Sequence, residues 1–371
     1  MRIVHFHPDP RMANFFVRPL LEAEINAGHD NAFVTSVHRA GYEQYTKFPY
    51  DLRISNTLHL PISLWRIRKY LKEFFTDTVV CHNTLAAFIP LLASFLAGVQ
   101  SRIYFNHGVP YIGHHGVLRW LLYTIEIFNL SLSTHTVTVS YDMLAILKKI
   151  NPQKKIRLIH HGSACGINLV DFSFDKDVRM NWRLKHELNT DDFVLLYVGR
   201  PERRKGFNLV LQLWIDYFQN TNLKLLLCGP ETKDVIRFVD NVPSNILTLG
   251  FISNINEVMI SSDLLILPSL HEGFSYACLE ATASGLFIIA NNIPGISELI
   301  SNGKNGFLVN ENDLSKYAEI INNLYKDKTQ INKMRFFSNE FEKKYSREFF
   351  MLDYLSFLKE VDLSAKSSAR E

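Results

Sequence analysis

Two short segments in the second half of the chain carry residue types suited to an anionic, hydroxylated ligand. The first, Gly199-Arg200-Pro201-Glu202-Arg203-Arg204-Lys205-Gly206, directly follows an apolar run that ends at Val198. Arg200 and Lys205 can make charge-assisted hydrogen bonds to phosphate oxygens, because guanidinium and ammonium groups are strong donors. The Walker pattern G-x-x-x-x-G-K-[ST] is not matched. A solvated basic turn is the alternative interpretation.

The second segment runs from Ser269 to Ala281 and combines a glycine with two carboxylates. We expect Gly273 to allow close backbone approach and a helix to begin just after it, so that the amides of Phe274 and Ser275 face an anion. Glu272 and Glu280 would repel a bare phosphate but accept hydrogen bonds from vicinal hydroxyls. The pair of glutamates therefore indicates a sugar or a ribose. The alternative for each is an ordinary surface charge.

Further glycines mark neighbouring turns at the ends of predicted strands. Gly229-Pro230 and Gly250-Phe251 offer flat edges against which a base could lie, although each could be only a tight turn. The segment Asn291-Asn-Ile-Pro-Gly295 is expected to open another helix, which carries Glu298.

These segments need elements that bring them together. Short β-branched or aromatic runs alternate with helical patterns along the whole chain, which predicts parallel α/β layers. The predicted strands are 2–6, 78–81, 102–106, 134–140, 193–198, 223–228, 246–250, 264–268, 287–291 and 307–309. We expect two doubly wound domains joined by a linker at 162–177. Ligands of parallel sheets sit beyond the carboxyl ends of the strands, so we expect the loops of both domains to face one cleft.

Composition supports this organisation and excludes other classes. The chain has 371 residues and a formal charge of +3, which gives no reason to expect nucleic-acid binding. The four cysteines form no C-x-x-C pair, which indicates a reducing, cytoplasmic compartment without a disulfide framework. No secretory signal is recognised, and the apolar run 85–99 is too short to span a bilayer and predicts a buried helix.

The motifs resemble those of the retaining glycosyltransferases of family 4. The resemblance covers nearly all of the second half in order, and its most specific element is the pair of glutamates, Glu272 and Glu280. It rests on Gly199-Arg200, Lys205-Gly206, Pro268-Ser269, Glu272-Gly273-Phe274, Glu280-Ala281, Gly285, Pro294-Gly295, Glu298 and Asn305-Gly306-Phe307-Leu308-Val309. It implies a GT-B fold of two Rossmann-like domains. The implied acceptor-binding domain is 1–168, with a helix at 346–371 crossing back to it, and the nucleotide-sugar domain is 169–345.

The resemblance also implies roles for individual residues. Arg200 and Lys205 would bind the donor diphosphate, and Glu280 would bind the ribose hydroxyls. Glu272 would face the donor sugar, and His107, after the run 102–106, would contact that sugar near the reacting carbon. A satisfied structural histidine is the alternative for His107. The remaining implied donor-binding residues are Gly199, Gly229, Phe251, Gly273, Phe274 and Ser275.

The segment 159–169 resembles that of family members which build capsule, O-antigen or N-glycan precursors on undecaprenyl diphosphate. Cys165 and Asn168 depart from its usual Asn and Asp, and the loop 7–13 lacks the paired glycines of many members. Segments 62–72 and 117–123 mix Trp and Tyr with basic residues at helical spacing, which suits an anionic membrane surface. Ordinary amphipathic helices packed on a sheet are the alternative.

We expect no metal and no cofactor. The adjacent pairs His114-His115 and His160-His161 need not converge on one ion. Asp175-Lys-Asp177 resembles a D-x-D motif, but it lies in the charged linker and is interpreted as solvated.

The predicted function is transfer of a sugar from a nucleoside diphosphate to an undecaprenyl-diphosphate-linked saccharide, in capsule, O-antigen or related surface polysaccharide synthesis. The predicted place of action is the cytoplasmic face of the inner membrane, to which the protein would bind peripherally. A UDP-linked amino sugar is the first expectation for the donor and a GDP-linked sugar the second. Two alternatives stay open: a sugar-nucleotide 2-epimerase, and a catalytically silent subunit of a polysaccharide assembly complex.

Overall fold

The computed structural model describes residues 1–35, 60–334 and 344–368. The chain divides into unit 1, Met1–Gly166 with Arg347–Glu371, and unit 2, Ile167–Ser346. Each unit is built on a six-stranded parallel sheet covered by helices. The α/β class with two doubly wound sheets is confirmed.

The sheet of unit 1 has the strand order β2-β1-β3-β4-β5-β6. Its strands are β1 Arg2–Phe6, β2 Asp30–Val34, β3 Thr78–His82, β4 Ser101–Asn106, β5 His135–Thr138 and β6 Ile156–Leu158. The order reverses between β1 and β3, which creates a crevice at the carboxyl ends of these two strands.

Helices of unit 1 alternate with its strands. They are α1 Pro10–Phe16, α2 Arg18–Asn26, α3 Leu60–Glu73, α4 Thr84–Ala97, α5 Gly116–Leu132 and α6 Tyr141–Ile150, with a 3-10 turn at Pro110–Gly113. The predicted buried helix in the apolar run 85–99 is α4, which buries Ala87, Leu91 and Ala93 completely. No helix in the described ranges is long and apolar enough to cross a membrane.

The last helix, Arg347–Ser368, also belongs to unit 1. Phe350, Tyr354, Leu358 and Val361 repeat at helical spacing and are buried, so the helix has one apolar face. The helix ends at Ser368, within the predicted range 346–371. Residues 369–371 of the predicted helix lie outside the described residues.

Unit 2 has the strand order β12-β11-β10-β7-β8-β9, which is the Rossmann order. Its strands are β7 Val194–Val198, β8 Lys224–Cys228, β9 Ile246–Gly250, β10 Leu264–Leu267, β11 Phe287–Asn291 and β12 Gly306–Val309. The order reverses between β7 and β10. The loops after these two strands therefore lie side by side at the switch point, where such sheets bind ligands.

Helices of unit 2 also alternate with its strands. They are α7 Lys176–Lys185, α8 Phe207–Tyr217, α9 Thr232–Ile236, α10 Ile255–Ser261, α11 Tyr276–Ala283, α12 Leu314–Lys326 and α13 Thr329–Met334, with 3-10 turns at Leu169–Phe172, Arg203–Lys205 and Ser297–Leu299. The expected helix that carries Glu298 is thus only a 3-10 turn. Asp175 is not merely solvated: its side chain accepts hydrogen bonds from the amides of Asp177 and Val178 and caps α7.

Candidate functional site

The basic loop after β7 is held in shape by a buried tyrosine. Tyr197 donates its hydroxyl hydrogen bond to the carbonyl of Arg200 at 3.0 Å, and its oxygen lies 3.3 Å from the carbonyl of Lys205. Burial raises the pKa of Tyr197, so this hydroxyl stays protonated and remains a donor. The sequence interpretation missed Tyr197, because an aromatic residue in a strand is typical of the core.

Gly206 brings the basic loop against the loop after β10. Its φ is +71°, and a Cβ placed on it would lie 2.1 Å from the carbonyl oxygen of Pro268. The amide of Leu270 donates to the carbonyl of Arg204 at 2.9 Å, and the Arg204 guanidinium donates to the carbonyl of His271 at 3.1 Å. The two sequence-predicted segments are therefore one structural unit.

Lys205 and Glu272, both predicted site residues, form an ion pair at this junction. The Nζ of Lys205 lies 2.6 Å from the Oε1 of Glu272, and their side chains are 23% and 7% exposed. The partial burial strengthens the attraction relative to a surface pair. A lysine ammonium carries three donors, and Glu272 takes one of them.

Arg200 lies apart from this pair. Its guanidinium is 66% exposed and contacts Glu202 at 2.8 Å. Both groups face solvent, so this pair contributes little to stability. Arg200 is therefore a solvent-facing cation on the same loop rather than a member of the Lys205–Glu272 pair.

The start of α11 corrects part of the predicted anion seat. Ser275 is the N-cap, and its hydroxyl accepts from the amide of Cys278 at 3.3 Å. The Ser275 amide donates to the carbonyl of Gly295 at 2.9 Å. The Ser275 amide is therefore not available to an anion, since Gly295 in the loop after β11 accepts its hydrogen bond. The amide of Phe274 has no hydrogen-bond acceptor among the described residues and keeps the predicted role.

Gly273 and Gly295 are packed backbone to backbone. A Cβ on Gly295 would lie 2.7 Å from the carbonyl of Gly273 and 2.8 Å from that of Glu272. Behind them, the side-chain amide of Asn291 donates to the carbonyl of Ser269 at 3.0 Å, and Tyr317 donates to Asn291 at 3.0 Å. Three strand-end loops, after β7, β10 and β11, thus hold Glu272 in place.

Glu280 extends from α11 without a partner. In the part of the chain that the structure describes, no hydrogen bond or ion pair involves its carboxylate. Burial raises the pKa of this carboxyl to about 8. An unpartnered carboxyl with a raised pKa, on the helix that follows a switch-point loop, is typical of a ligand-binding group.

The glycines predicted as a flat edge meet at the ends of β7, β8 and β9. The Gly199 amide donates to the carbonyl of Cys228 at 3.0 Å, and the Gly229 amide donates to that of Gly250 at 2.7 Å. A Cβ on Gly229 would lie 2.1 Å from the Gly199 oxygen, so only glycine fits there. Phe251 follows this edge with 75% of its surface exposed. An exposed ring beside bare backbone can stack a flat ligand.

His107 lies in unit 1, directly after β4. A buried carboxylate, Glu126, fixes the turn in which it sits. Glu126 accepts from Tyr104 at 2.9 Å and from Asn106 at 3.1 Å, and Asn106 exchanges hydrogen bonds with the backbone of Gly108. Burial raises the pKa of Glu126 to about 7, against the effect of these hydrogen bonds. The sequence interpretation missed Glu126, since a single acid in an apolar helix carries no pattern.

In the described ranges, no group of three or more His, Cys, Asp or Glu is placed to hold a metal ion. The four cysteines are free and buried. The predictions about metal and cofactor stay predictions.

Residues 178–343 match the family model described as glycosyl transferases group 1. Unit 2 is thus similar to the domains that this model describes. The matched range contains both loops, the Lys205–Glu272 pair and Glu280. Assignment to family 4, with retention of configuration, goes further than this match.

Longer alignments link the chain to named proteins. It is 27% identical over 253 residues to the capsular polysaccharide biosynthesis glycosyltransferase CapM of Staphylococcus aureus, which covers 66% of each chain. It is 27% identical over 282 residues to the UDP-Gal:alpha-D-GlcNAc-diphosphoundecaprenol alpha-1,3-galactosyltransferase of Escherichia coli, covering 72% of this chain and 70% of the relative. The chain therefore spans about two thirds of the length of these relatives.

The fold also matches solved structures over nearly its whole length. HepE from Anabaena, in complex with UDP and glucose, superposes with a TM-score of 0.80 at 16% identity, covering 97% of this chain and 100% of that one. The fold is GT-B, as the sequence predicts.

Proposed function

We propose that the protein is a retaining, metal-independent glycosyltransferase that uses a nucleoside-diphosphate sugar. One observation carries this proposal: Lys205, Glu272 and the unpartnered Glu280 occupy adjoining strand-end elements at the switch point of a domain that matches the glycosyl transferases group 1 model. Lys205 would bind the diphosphate of such a donor and Glu272 would face its sugar. Glu280, on the next helix, would bind the pentose.

The residues of unit 2 would assist cleavage of the bond between the donor sugar and the diphosphate. As the bond between the sugar and the diphosphate breaks, negative charge grows on the leaving phosphate. Lys205 and Arg200 stabilise that charge, aided by the Phe274 amide at the start of α11. The acceptor hydroxyl attacks the same face of the sugar, and its proton passes to the leaving phosphate oxygen. Glu280 holds the ribose hydroxyls throughout.

The proposed donor and acceptor follow from the relatives. The E. coli relative is named for a UDP-sugar and a diphosphoundecaprenol-linked acceptor, and CapM is named for capsule synthesis. We extend these chemistries to this chain: a UDP-linked sugar as donor, and a polyprenyl-diphosphate-linked saccharide as acceptor. His107 is the proposed contact to the donor sugar, as the family resemblance implies.

The surface of unit 1 supports an acceptor held at a membrane. On α5, Val117 is 84% and Trp120 is 68% exposed, with Arg119 between them. On α3, Trp65 is exposed and carries the ammonium of Lys69 5.5 Å above its ring. Exposed tryptophans beside cations suit the interface of an anionic bilayer. We propose peripheral attachment through these two helices.

Calorimetric titration with UDP, GDP and dTDP tests the donor assignment. We expect UDP to bind most tightly and Lys205→Ala to lose most of the affinity, whereas none of the three nucleotides binding would contradict the proposal. Incubation with UDP-sugars, with and without lipid-linked acceptor, tests the reaction. UDP release that requires acceptor supports transfer. Isomerisation of the donor alone would instead indicate an epimerase, and binding without any turnover a silent subunit.

A further inference from the structure

A chain of hydrogen bonds runs through the interior of unit 1 and ends at His107. Its first member is Glu24 on α2, whose Oε1 lies 2.9 Å from the Nε2 of His5. The Nδ1 of His5 lies 3.1 Å from the Nε2 of His82, and the Nδ1 of His82 lies 2.9 Å from the Nε2 of His107. Three imidazoles are therefore linked in series behind the proposed sugar contact.

The histidine series lies at the switch point of the sheet of unit 1. His5 is on β1, His82 ends β3, and His107 follows β4, so the rings cross three adjacent strands at their carboxyl ends. Glu24, His5 and His82 are fully buried, whereas His107 is partly exposed. Phe105 stacks on both His82 and His107, with centroid distances of 5.3 and 5.0 Å. This packing fixes the ring orientations.

The far end of the series has a defined hydrogen-bond polarity. Tyr354 gives its single hydroxyl proton to the Oε1 of Glu24 at 2.6 Å, and the side-chain amide of Asn31 donates to Oε2 at 3.1 Å. Burial and the neighbouring Glu24 raise the pKa of Tyr354, so this phenol stays a donor. Glu24 acts as an acceptor in all three of its contacts, and the Nε2 of His5 must carry a proton.

That polarity passes along the series. A neutral imidazole has one N–H, and we take His5 as a neutral ring, so with a proton on Nε2 it accepts at Nδ1. His82 then donates from Nε2 and accepts at Nδ1, and His107 donates from Nε2. We propose that Glu24, His5 and His82 are positioning residues that fix His107 in the Nε2–H tautomer, with a bare Nδ1 that accepts a hydrogen bond from a hydroxyl of the donor sugar.

His82 and His107 are neutral at physiological pH. Burial, with smaller effects of His107, His5 and His7, holds the pKa of His82 well below its usual value. Burial and, to a smaller extent, His7 lower the pKa of His107 to about 3. Burial lowers the pKa of His7 itself to about 4, and its Nε2 is hydrogen-bonded to Asn83 at 3.2 Å. His82 and His107 therefore each keep one bare ring nitrogen that can accept a hydrogen bond.

The role of the bare Nδ1 as a sugar contact rests on the proposed function, but the tautomer does not. Among the described residues His107 has no partner at Nδ1, so this atom is open to a ligand hydroxyl. Without the series, a neutral histidine exchanges between two tautomers, and only one of them presents an acceptor at this atom. Fixing the tautomer removes the free-energy cost of selecting the accepting form when the sugar binds.

Long-range proton–nitrogen NMR of the full chain labelled with ¹⁵N-histidine measures the tautomer directly, without substrate. His107→Asn assigns the signals of this ring. At pH 7.5 we expect His107 to be neutral with its proton on Nε2. A proton on Nδ1, an even mixture or an imidazolium would overturn the inference while leaving the proposed transferase activity untouched.

Two substitutions test whether the series sets this state. Glu24→Gln replaces an obligate acceptor by a group that can also donate, and His82→Phe preserves aromatic packing on Phe105 but removes both nitrogens. We expect each to convert His107 to a mixture of tautomers. Tyr354→Phe is the matched control, since it removes one hydrogen bond to Glu24 without reversing polarity, and it should keep the Nε2–H form. His107 unchanged in both Glu24→Gln and His82→Phe would also overturn the inference.

Discussion

The ammonium of Lys205 is the cation most firmly built into the candidate site, because Glu272 and two neighbouring loops hold it. If it stabilises a leaving diphosphate, Lys205→Ala should lower kcat/KM by about 100 to 1,000 fold, the usual effect of losing one preorganised stabiliser. Acceptor-dependent release of UDP measures this.

Lys233 provides a matched control. It pairs with Glu231 at the same 2.6 Å distance, but both side chains are more than half exposed. Lys233→Ala should leave kcat/KM unchanged. Lys205→Ala leaves Glu272 as an unpaired, nearly buried acid, and the double variant Lys205→Ala/Glu272→Gln removes that charge. Its melting temperature should therefore rise back towards that of the wild type, whereas its activity should stay low. Recovery of activity in the double variant would mean that Lys205 only supports the fold.

Glu280 should make nucleotide binding depend on pH. Its pKa of about 8 means that the carboxyl is mostly protonated at pH 6 and mostly ionised at pH 9. The ionised form accepts two hydrogen bonds from ribose hydroxyls, so affinity for UDP should rise with pH, by up to about tenfold per unit below pH 8. Titration of the wild type and of Glu280→Gln at pH 6, 7, 8 and 9 checks this.

The informative quantity is the difference in UDP affinity between the wild type and Glu280→Gln at each pH. Ionisation of the UDP phosphate affects the two proteins equally and cancels in this difference. Glu319→Gln, at an exposed ion pair with Lys316, should follow the wild type. A wild-type pH profile that coincides with that of Glu280→Gln would remove Glu280 from the nucleotide site.

Residue types and their order along the chain predicted that the two binding loops of unit 2 follow parallel strands, but not which of their side chains pair. Lys205 and Glu272 carry opposite charges in two loops, and the Rossmann strand order makes those loops neighbours. The occupied amide of Ser275 could not be predicted, since its acceptor Gly295 belongs to a third loop. The histidine series was missed because its three rings are isolated in sequence and converge only through the sheet.

At the scale of elements, the contact between the two binding loops depends on Gly206. It combines a φ of +71° with backbone contact to Pro268, whereas Gly303 has a φ of +76° and a Cβ placed on it would have no neighbour within 4 Å. Gly303→Ala should cost about 1–2 kcal/mol from backbone strain alone. Gly206→Ala should cost about 1–3 kcal/mol more, because the new methyl group meets the Pro268 carbonyl.

Urea unfolding of both variants measures these costs, and UDP titration measures their effect on the site. We expect Gly206→Ala to weaken UDP binding and Gly303→Ala to leave it unchanged. Equal stability and equal affinity in the two variants would show that the loops do not depend on this contact.

Hydrophobic runs predicted the central strands of both sheets and both edge strands of unit 2, but not the edge strands of unit 1. The sequence interpretation missed β2 and β6, which are the two edge strands of the sheet of unit 1. Edge strands carry short runs and charges that discourage pairing with other chains. In β6, Arg157 pairs with Asp353 and Glu360 on the last helix.

At the scale of the whole molecule, attachment to a membrane should depend on the exposed residues of α5. We expect the protein to sediment with vesicles of phosphatidylglycerol and phosphatidylcholine more than with vesicles of phosphatidylcholine alone. Val117→Asp with Trp120→Ser should reduce this sedimentation several-fold without changing UDP affinity.

Val170→Asp is the matched control for that experiment. Val170 is 79% exposed but belongs to unit 2, so its substitution should leave vesicle binding unchanged. Equal loss in both proteins, or no binding by the wild type, would contradict attachment through α5.

The central claim is that the strand ends of unit 2 bind a nucleoside diphosphate, and a crystal structure of the protein with UDP tests it most directly. The account predicts the diphosphate within hydrogen-bond distance of Lys205 and the Phe274 amide, with the ribose hydroxyls on Glu280. UDP bound elsewhere in the crystal, with these loops empty, would contradict the account.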